Sequence, residues 1–340
     1  MGETGRKMAT IRDVARKAGV GTGTISRFFN DPKNVSIETQ RKIEEAISVL
    51  GYRPNQTARN LSMGRTMTLG LLIPDITNPF FPQVTRGLSD AARATGYEVL
   101  LANTDGDPKQ EQALLATLAS RTDGVVLVPT ATEAPAVRPS VPLVLVDRGW
   151  HGHMADRVTS ENREIMFELA SSILKLGHRT IVFLGGPQGI DTAEERRKGL
   201  LDALKGHDRV VVHWTDGPFQ VESGYERARS LLARDISFTA VMAANDMLAA
   251  GALKALVEAS IKVPEQVALT GFDNLPWSVL LTPSLTTVDQ SAYILGQAAA
   301  ELLIGRIRGS EEPPVTRCLP ARIVWRESAL STLPYASPIS

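Results

Sequence analysis

Residues 10–30, TIRDVARKAGVGTGTISRFFN, contain two short helical patterns on either side of a glycine. Thr10 and Asp13 have the spacing of a capping box, which predicts that a helix begins just after Thr10. Its apolar face consists of four residues at helical spacing: Ile11, Val14, Ala15 and Ala18. Gly19 suits the left-handed turn that ends a helix, and a second helical pattern follows it. Two short helices joined by a tight turn are typical of a helix-turn-helix.

The glycines of this stretch also raise the alternative of a phosphate-binding loop. A dinucleotide-binding fingerprint needs G-x-G-x-x-G between a strand and a helix, but Thr24 stands at the third glycine position and the preceding residues have a helical pattern. No G-K-[ST] sequence follows, so a P-loop is also excluded. The second helix, predicted from about Thr22 to Phe29, is then the one that enters the major groove of DNA. Its candidate DNA-contacting side chains are short donors and a forked guanidinium: Thr24, Ser26, Arg27 and Asn30.

Charge is distributed unevenly along the chain. Residues 1–65 carry 12 Lys and Arg against 6 Asp and Glu, which leaves 25 of the 37 basic and 31 of the 37 acidic residues for the rest of the chain. A basic N-terminal segment on an acidic body favours binding of a polyanion over the alternative of a solvated basic tail. The single Cys318 excludes an internal disulfide, and we find neither a signal peptide nor an apolar run of transmembrane length. We therefore expect a cytoplasmic protein.

From Leu69 onward the pattern changes to apolar segments of strand length that are separated by helical segments. A first series of strands is predicted at 69–73, 97–103, 124–128 and 142–147, and a second series at 180–186, 209–214, 239–246 and 267–273. Buried strands that alternate with helices indicate parallel sheets with right-handed crossovers. The predicted fold is an N-terminal all-α helix-turn-helix head followed by an α/β core of two doubly wound parallel-sheet subdomains.

Residues 10–55 resemble the DNA-binding head of the lactose-repressor (LacI) family of bacterial transcription regulators. That head reads roughly T-x-x-D-V-A-x-x-A-G-V-S-x-x-T-V-S-R-V-L-N, then V-S-x-x-T and L-G-Y-x-P-N, and nearly every fixed position is met here. The resemblance continues to about residue 328. It implies a periplasmic-binding-protein-like core, a homodimer, and pseudo-palindromic operator DNA as the partner, with Thr10 among the residues at the DNA.

The segment PNQTARNLSMGR, residues 54–65, is similar to the hinge helix of the same family. By that likeness Ala58 lines the floor of the minor groove and Leu61 is the apolar wedge pushed into it, while Asn55 caps the hinge helix and is counted among the DNA-binding residues. An ordinary apolar linker residue is the alternative interpretation of Leu61, and the family context favours the wedge.

The predicted recognition helix departs from the family pattern. Gly21 stands where the family usually has a Ser that caps the helix and contacts phosphate. Thr22 and Gly23 occupy the two positions that choose the operator half-site, and Gly23 has no side chain with which to contact a base. We therefore expect specificity to depend on Thr22, its neighbours, DNA shape and the hinge. Phe28 and Phe29 replace smaller residues, which predicts different packing in this head.

Polar and aromatic residues follow the predicted strands of the core, where ligands of open α/β sheets bind. Aromatic faces together with carboxylate, amide and guanidinium groups suit a small, neutral, polyhydroxylated ring. The pattern is similar to that of periplasmic ribose-binding proteins, which implies ten effector contacts: Asn78, Phe80, Phe81, Asp147, Arg148, Arg196, Phe219, Asn245, Asp273 and Gln290. We expect a monosaccharide effector, a pentose such as ribose, with a purine base as the alternative ligand. Asp246, next to Asn245, is interpreted as structural.

Other classes of protein fit the sequence less well. A periplasmic sugar-binding protein has a similar core but needs a signal peptide and no basic head. A nucleotide-dependent enzyme would need a phosphate-binding loop, which the sequence does not contain. A glycosidase could use Asp147 and Asp273 as its carboxylate pair, but nothing marks either of them as the proton donor. We predict no catalytic residue, no metal site and no cofactor. The C-terminal tail has no leucine heptad of the kind found in the family's tetramers, so a dimer is expected.

The predicted domain boundaries follow from these patterns. They are a helix-turn-helix head at 8–54, a hinge at 55–65, an effector-binding and dimerisation core at 66–328, and a tail at 329–340. Within the core, one subdomain is predicted at about 66–160 plus 288–320, and the other at about 161–287 plus 321–328.

Overall fold

The structure is a computed structural model. It describes residues 9–30, 32–52, 65–130, 132–135, 139–152, 155–234 and 236–330. The chain divides into two compact units between Thr66 and Met67. Among the helices described, none has both the length and the apolar character needed to cross a membrane.

Within residues 9–30 and 32–52, the N-terminal unit contains three helices and one short 3-10 turn. Helix α1 spans Ile11–Ala18, α2 spans Thr22–Asn30, the turn spans Pro32–Asn34, and α3 spans Ile37–Leu50. The capping box predicted before α1 is present, and Gly19 ends that helix with a φ of 67°. The three helices predicted from the sequence are therefore confirmed.

The core of this head is small and apolar. Val14, Ile25 and Ile43, one from each helix, are fully buried. Phe28 and Phe29 are half-buried against this core and contact each other edge to face, with ring centroids 5.3 Å apart. Both of these aromatic residues, which replace smaller ones of the family pattern, therefore belong to the core cluster of the head.

The second unit contains two α/β subdomains. The first begins with β1 Thr68–Ile73, α4 Phe80–Ala94, β2 Glu98–Asn103, α5 Pro108–Ala119, β3 Gly124–Leu127, β4 Leu143–Val146 and β5 Asp156–Ser160. The second contains α6 Asn162–Lys175, β6 Thr180–Leu184, α7 Asp191–Ala203, β7 Val211–Thr215, α8 Val221–Leu232, β8 Ala240–Ala243, α9 Asp246–Glu258 and β9 Ala268–Thr270. The chain continues with β10 Thr287–Asp289, α10 Ala292–Ile307, β11 Thr316–Leu319, β12 Arg322–Val324 and a 3-10 turn Glu327–Ala329.

Both large sheets are parallel throughout. The first has the strand order β11-β5-β4-β3-β1-β2, and the second has the order β7-β6-β8-β9. Strands β10 and β12 form a separate antiparallel pair. Since each sheet changes direction of winding between its central strands, the predicted doubly wound α/β core is confirmed.

Strand β5 was not predicted from the sequence. Its charged and polar residues, among them Asp156 and Arg157, interrupt the apolar run on which the other strands were recognised. Asp156 is tolerated there because the Arg306 guanidinium donates to both of its carboxylate oxygens, at 2.6 and 2.8 Å. Val158 is fully buried, which places this strand inside the first sheet between β4 and β11.

Candidate effector cleft and DNA-binding head

Two aspartates lie shortly after parallel strands of the two subdomains. Asp147 follows β4 and Asp273 follows β9, and both have a positive φ, 65° and 115°. The Asp147 N–H donates to the Val158 carbonyl and the Asp273 N–H to the Val288 carbonyl, each at 2.8 Å. These backbone bonds hold each aspartate in a conformation that costs energy for a residue other than glycine. Such strain is often stored at binding sites, and both carboxylates lie at the ends of strands where α/β proteins bind ligands.

The first subdomain supplies an acidic, a basic and an aromatic group that lie together. Arg148 Nε is 3.7 Å from Asp147 Oδ2, and the Arg148 guanidinium carbon lies 5.9 Å from the centre of the Phe81 ring. Phe80 packs edge to face against Phe81, with ring centroids 5.3 Å apart. Four of the residues predicted to contact the effector thus form a chain of neighbours, from Asp147 through Arg148 and Phe81 to Phe80.

The second subdomain supplies a similar cluster around Arg196. Arg196 Nη1 is 3.6 Å from Asp273 Oδ1, and the same carboxylate oxygen accepts from Gln290 Nε2 at 2.6 Å. The Arg196 guanidinium stacks on the Phe272 ring at 3.8 Å, and its Nε donates to Asn162 Oδ1 at 2.8 Å. The Ala244 carbonyl after β8 also accepts from Arg196 Nη1 at 2.8 Å. Because these partners come from α6, from the end of β8 and from the segment after β9, Arg196 is held in a single orientation.

The two clusters influence each other electrostatically. Burial raises the pKa of Asp147, and the positive charges of Arg148 and Arg196 oppose that rise. Burial likewise raises the pKa of Asp273 to about 7, with Arg196 opposing and the Asp147 charge reinforcing the rise. Burial lowers the pKa of Arg148. Two carboxyl groups and two guanidinium groups therefore converge from both subdomains, and their charges balance when all four are ionised.

Two buried polar atoms of this cleft have no hydrogen-bond partner among the described residues. They are Asp147 Oδ1 and Arg148 Nε. A buried polar atom without a partner costs about 1–3 kcal/mol, so such atoms are rare unless a ligand or water satisfies them. One atom is an acceptor and the other a donor, which suits a hydroxyl group because a hydroxyl both donates and accepts.

The remaining predicted contacts have local structural roles as well. Asn78 Oδ1 accepts from the Phe80 N–H at 3.1 Å, and Asn245 Oδ1 accepts from the Leu248 N–H at 2.9 Å at the start of α9. Phe219 packs on Gly186, where a Cβ would lie 2.2 Å from the ring.

Asp246 binds the protein rather than a ligand. Its Oδ1 accepts from the Thr287 hydroxyl at 2.5 Å and its Oδ2 from the Leu275 N–H at 2.8 Å. Both oxygens are thereby used, and the residue is fully buried. A Cβ at Gly271 would lie 2.2 Å from Asp246 Oδ1, so this carboxylate also requires glycine in the facing strand end. The structural role proposed for Asp246 from the sequence agrees with these contacts.

Three residues of the cleft network were not predicted from the sequence. Asn162 orients Arg196, Phe272 stacks on it, and Ser160 donates to Gln290 Oε1 at 2.8 Å. Phe272 directly precedes the predicted Asp273, within the predicted strand segment 267–273. Ser160 is the last residue of β5 and Asn162 the first residue of α6, so neither is marked as a strand-end residue when β5 is not recognised. In the described ranges, no group of three His, Cys, Asp or Glu side chains is placed to hold a metal ion.

Most of the predicted DNA-contacting residues of the head are exposed. Thr22, Ser26 and Arg27 are exposed, as are Thr10 before α1 and Gly23, whereas Thr24 is half-buried. Asn30 is the last residue of α2. The hinge residues Asn55, Ala58 and Leu61 lie outside the described residues.

Two family models match the chain, one for each unit. Residues 10–55 match the model described as bacterial regulatory proteins, lacI family. Residues 170–329 match a periplasmic binding protein-like domain. The first match covers the three-helix head and the second covers most of the second subdomain and the segments that follow it.

Relatives of the same length extend this similarity over nearly the whole chain. The ribose operon repressor of Halalkalibacterium halodurans is 33% identical over 94% of this chain and 97% of its own length. The HTH-type transcriptional repressor PurR of Pectobacterium carotovorum is 33% identical over 90% of this chain and 92% of its own.

Two solved structures are similar as well. The lac repressor dimer bound to operator and the anti-inducer ONPF superposes with a TM-score of 0.86 at 25% identity, covering 96% of this chain and 100% of that one. A LacI family transcriptional regulator from Enterococcus faecium with bound ribose has a TM-score of 0.69 at 31% identity, covering 77% of this chain and 98% of that one. With its helix-turn-helix head, its paired α/β subdomains and full-length relatives above 30% identity, this chain belongs to the lacI family of bacterial regulatory proteins.

Proposed function

We propose that this protein is a cytoplasmic transcription repressor that binds a pseudo-palindromic operator as a homodimer and is controlled by ribose. The observation that carries the proposal is a buried ion pair at the strand ends of each subdomain: Asp147 with Arg148 in the first, and Arg196 with Asp273 in the second. Two carboxylates and two guanidinium groups of balanced charge suit a neutral ligand that is rich in hydroxyl groups.

The aromatic groups beside these charges support a sugar ring. Phe80 and Phe81 lie next to Arg148 and offer apolar faces to the C–H side of a ring, while the charged groups bind its hydroxyls. Ribose is the first choice within this class because a ribose operon repressor is a relative over 94% of this chain and a related regulator holds bound ribose. A purine base is the alternative, supported by the similarity to PurR.

An apolar groove supports the homodimer. It has a volume of about 370 Å³ and is lined by residues of both subdomains: Thr77, Pro79, Val221, Met247, Ala250, Trp277, Leu280 and Leu281. Leu280 and its neighbour Val279 are exposed over 78% and 54% of their surfaces. Clustered exposed apolar side chains of this kind mark protein interfaces, and a second copy of this chain is the partner that operator symmetry requires.

In this proposal, the effector changes the closure of the two subdomains, and closure changes the spacing of the paired DNA-binding heads. The coupling is reciprocal: if ribose weakens operator binding by a given factor, operator DNA weakens ribose binding by the same factor.

A thermal-shift panel of pentoses, hexoses and purines tests the effector. A ligand at about 100 times its Kd stabilises the folded protein by about 2.7 kcal/mol, which is a measurable shift in Tm. We expect ribose to stabilise the protein; a shift with hypoxanthine or guanine and none with pentoses selects the purine alternative.

Two variants test the site. Asp147→Ala and Arg196→Ala are expected to abolish the ribose shift and to leave operator affinity, measured by fluorescence anisotropy, unchanged. Arg163→Ala is the matched control, because Arg163 pairs with Asp202 on the surface of the second subdomain. Loss of operator binding in both site variants would assign them a structural role instead.

A further inference from the structure

An ion pair outside the predicted effector contacts crosses from one subdomain to the other. Arg157 lies on β5 in the first subdomain, and Asp191 is the first residue of α7 in the second. Arg157 Nη2 is 2.7 Å from Asp191 Oδ2. Both side chains are largely buried, with 22% and 16% of their surfaces exposed, so water screens their attraction only partly.

Asp191 also binds the loop that carries the predicted effector residues. Its Oδ2 accepts from the Gly149 N–H at 3.0 Å, two residues beyond Asp147. On the other side, Arg157 Nη2 donates to the backbone carbonyl of Asp147 at 2.7 Å and to the Thr159 hydroxyl at 3.2 Å. The loop at 147–149 is therefore joined to Asp191 both directly and through Arg157.

The Arg157 side chain packs tightly against the backbone of the 147–149 loop. A Cβ at Gly149 would lie 2.6 Å from Arg157 Nη1, so the guanidinium occupies the space that any other residue at 149 would need. The two subdomains also lie close together at Gly189, two residues before Asp191. A Cβ at Gly189 would lie 3.0 Å from the side chain of Thr132, which belongs to the first subdomain. The subdomains are thus in direct contact at this side of the cleft.

We propose that Arg157 and Asp191 are positioning residues for effector binding that form a latch across the cleft. The latch holds the Asp147 loop against the start of α7, and Arg196 lies on that same helix five residues later. It therefore sets the distance between the two charged clusters before any effector arrives. The proposal rests on the proposed function for the identity of the effector, but not for the existence of the latch.

A latch of this kind favours the closed arrangement in the absence of effector. When only a fraction of the molecules is competent to bind, the apparent Kd rises in inverse proportion to that fraction. Breaking the latch is therefore expected to weaken effector binding without removing any atom that contacts the effector. An ion pair with only a structural role would instead change Tm and leave both closure and effector affinity as they are.

The first experiment measures closure without any ligand. Spin labels on Lys109→Cys and Gln188→Cys, in a Cys318→Ser background, place one probe near the strand ends of each subdomain, and both positions are exposed. Pulsed electron–electron double resonance measures the distribution of distances between the two labels. This distribution is compared between the labelled protein without further changes and its Asp191→Asn and Arg157→Gln variants. We expect both variants to shift or broaden the distribution toward longer distances.

Asp202→Asn is the matched control. Asp202 lies on the same helix α7, but its partners Arg163 and Lys205 belong to the second subdomain, so the variant removes an ion pair without affecting the cleft. Its distance distribution should coincide with that of the unchanged protein. A coinciding distribution for Asp191→Asn, or an equal shift for Asp202→Asn, overturns the latch.

The second experiment titrates ribose by calorimetry. We expect Asp191→Asn and Arg157→Gln each to raise the Kd by about ten-fold at unchanged stoichiometry, and the double variant to be no weaker than the worse single variant, since both remove one interaction. Additive losses in the double variant contradict a shared latch. If the unchanged protein binds no ribose at all, the proposed function fails, while the distance measurement still decides the latch.

Discussion

At the scale of single residues, the glycines at 19, 21 and 23 are under different constraints. Gly19 has a φ of 67°, which disfavours any side chain whatever the space around it. Gly21 and Gly23 have ordinary backbone angles, and a Cβ at either position would meet no atom within 4 Å in the head. Of these three glycines, only Gly19 is required by the fold. The head would accept other residues at 21 and 23, so DNA recognition can determine what stands there.

Gly19→Ala is expected to destabilise the head by about 1 kcal/mol, because it places a Cβ in the left-handed region. Gly23→Ala is expected to stabilise it by about 0.5 kcal/mol, because alanine loses less backbone entropy in a helix. Urea unfolding followed by circular dichroism of the head measures both. The same sign for the two substitutions would contradict this assignment.

The proton on Asp273 gives a prediction about pH. Its folded pKa of about 7 lies above the ordinary 3.8, so between these values the folded protein keeps a proton that the unfolded chain has lost. The contribution of this group to stability therefore falls as pH rises through that window and is constant above it. Ribose hydroxyls that donate to the carboxylate favour its ionised form and lower its pKa.

Ribose binding is accordingly expected to release about half a proton from Asp273 at pH 7, and its affinity should rise between pH 6 and pH 8. Calorimetric titrations in two buffers of different ionisation enthalpy measure this release. At pH 8.5 the effect should disappear, which provides the control. Proton uptake at pH 7 would mean that the sugar accepts from a protonated Asp273 instead.

At the scale of elements, glycines determine how closely helices pack. Helices α4 and α10 cross where a Cβ at Gly87 would lie 1.9 Å from the Tyr293 carbonyl oxygen, and a Cβ at Gly296 would lie 2.0 Å from the Val84 carbonyl oxygen. The second subdomain repeats the arrangement between α8 and α9, at Gly224 and Gly251. In both pairs the backbones are in direct contact, so no side-chain movement relieves an added methyl group.

Gly296→Ala is expected to destabilise the protein by about 2–3 kcal/mol through overpacking. Gly305→Ala on the same helix is the matched control, because a Cβ there meets no atom within 4 Å. That control should be neutral or stabilising by up to about 1 kcal/mol, as expected for replacing glycine within a helix. Thermal unfolding of both variants measures the difference, and equal destabilisation would refute the close crossing.

At the scale of the whole molecule, the proposed dimer interface at the apolar groove can be tested together with DNA binding. Leu280→Glu places a charge on its most exposed apolar residue and is expected to convert dimers into monomers in sedimentation velocity experiments. Operator affinity should fall at least about 100-fold, because one head then binds one half-site without the linked second head. Leu201→Glu, on an exposed position of α7 outside the groove lining, should leave both unchanged. A dimeric Leu280→Glu protein would place the interface elsewhere.

Much of the fold follows from local patterns in the sequence. The capping box at Thr10, the turn at Gly19 and the apolar periodicity of the first 50 residues determined the three-helix head, since these signals act within a few residues. The alternation of apolar strands with helices determined the parallel sheets. Strand β5 has no such local signal, because its Asp156 is neutralised by Arg306, which lies 150 positions away in the sequence.

In the cleft, the partners of the charged side chains depend on contacts between distant parts of the chain. The sequence by itself determined which residues follow the strand ends, and those positions already indicated Asp147, Arg196 and Asp273. Only the tertiary structure decided that Asp246 is bound internally by Thr287 and that Arg157 meets Asp191 across the cleft. The physical reason is that a charged side chain acquires its partner from whichever distant segment the fold brings within hydrogen-bond distance, and no periodicity in the chain records that choice.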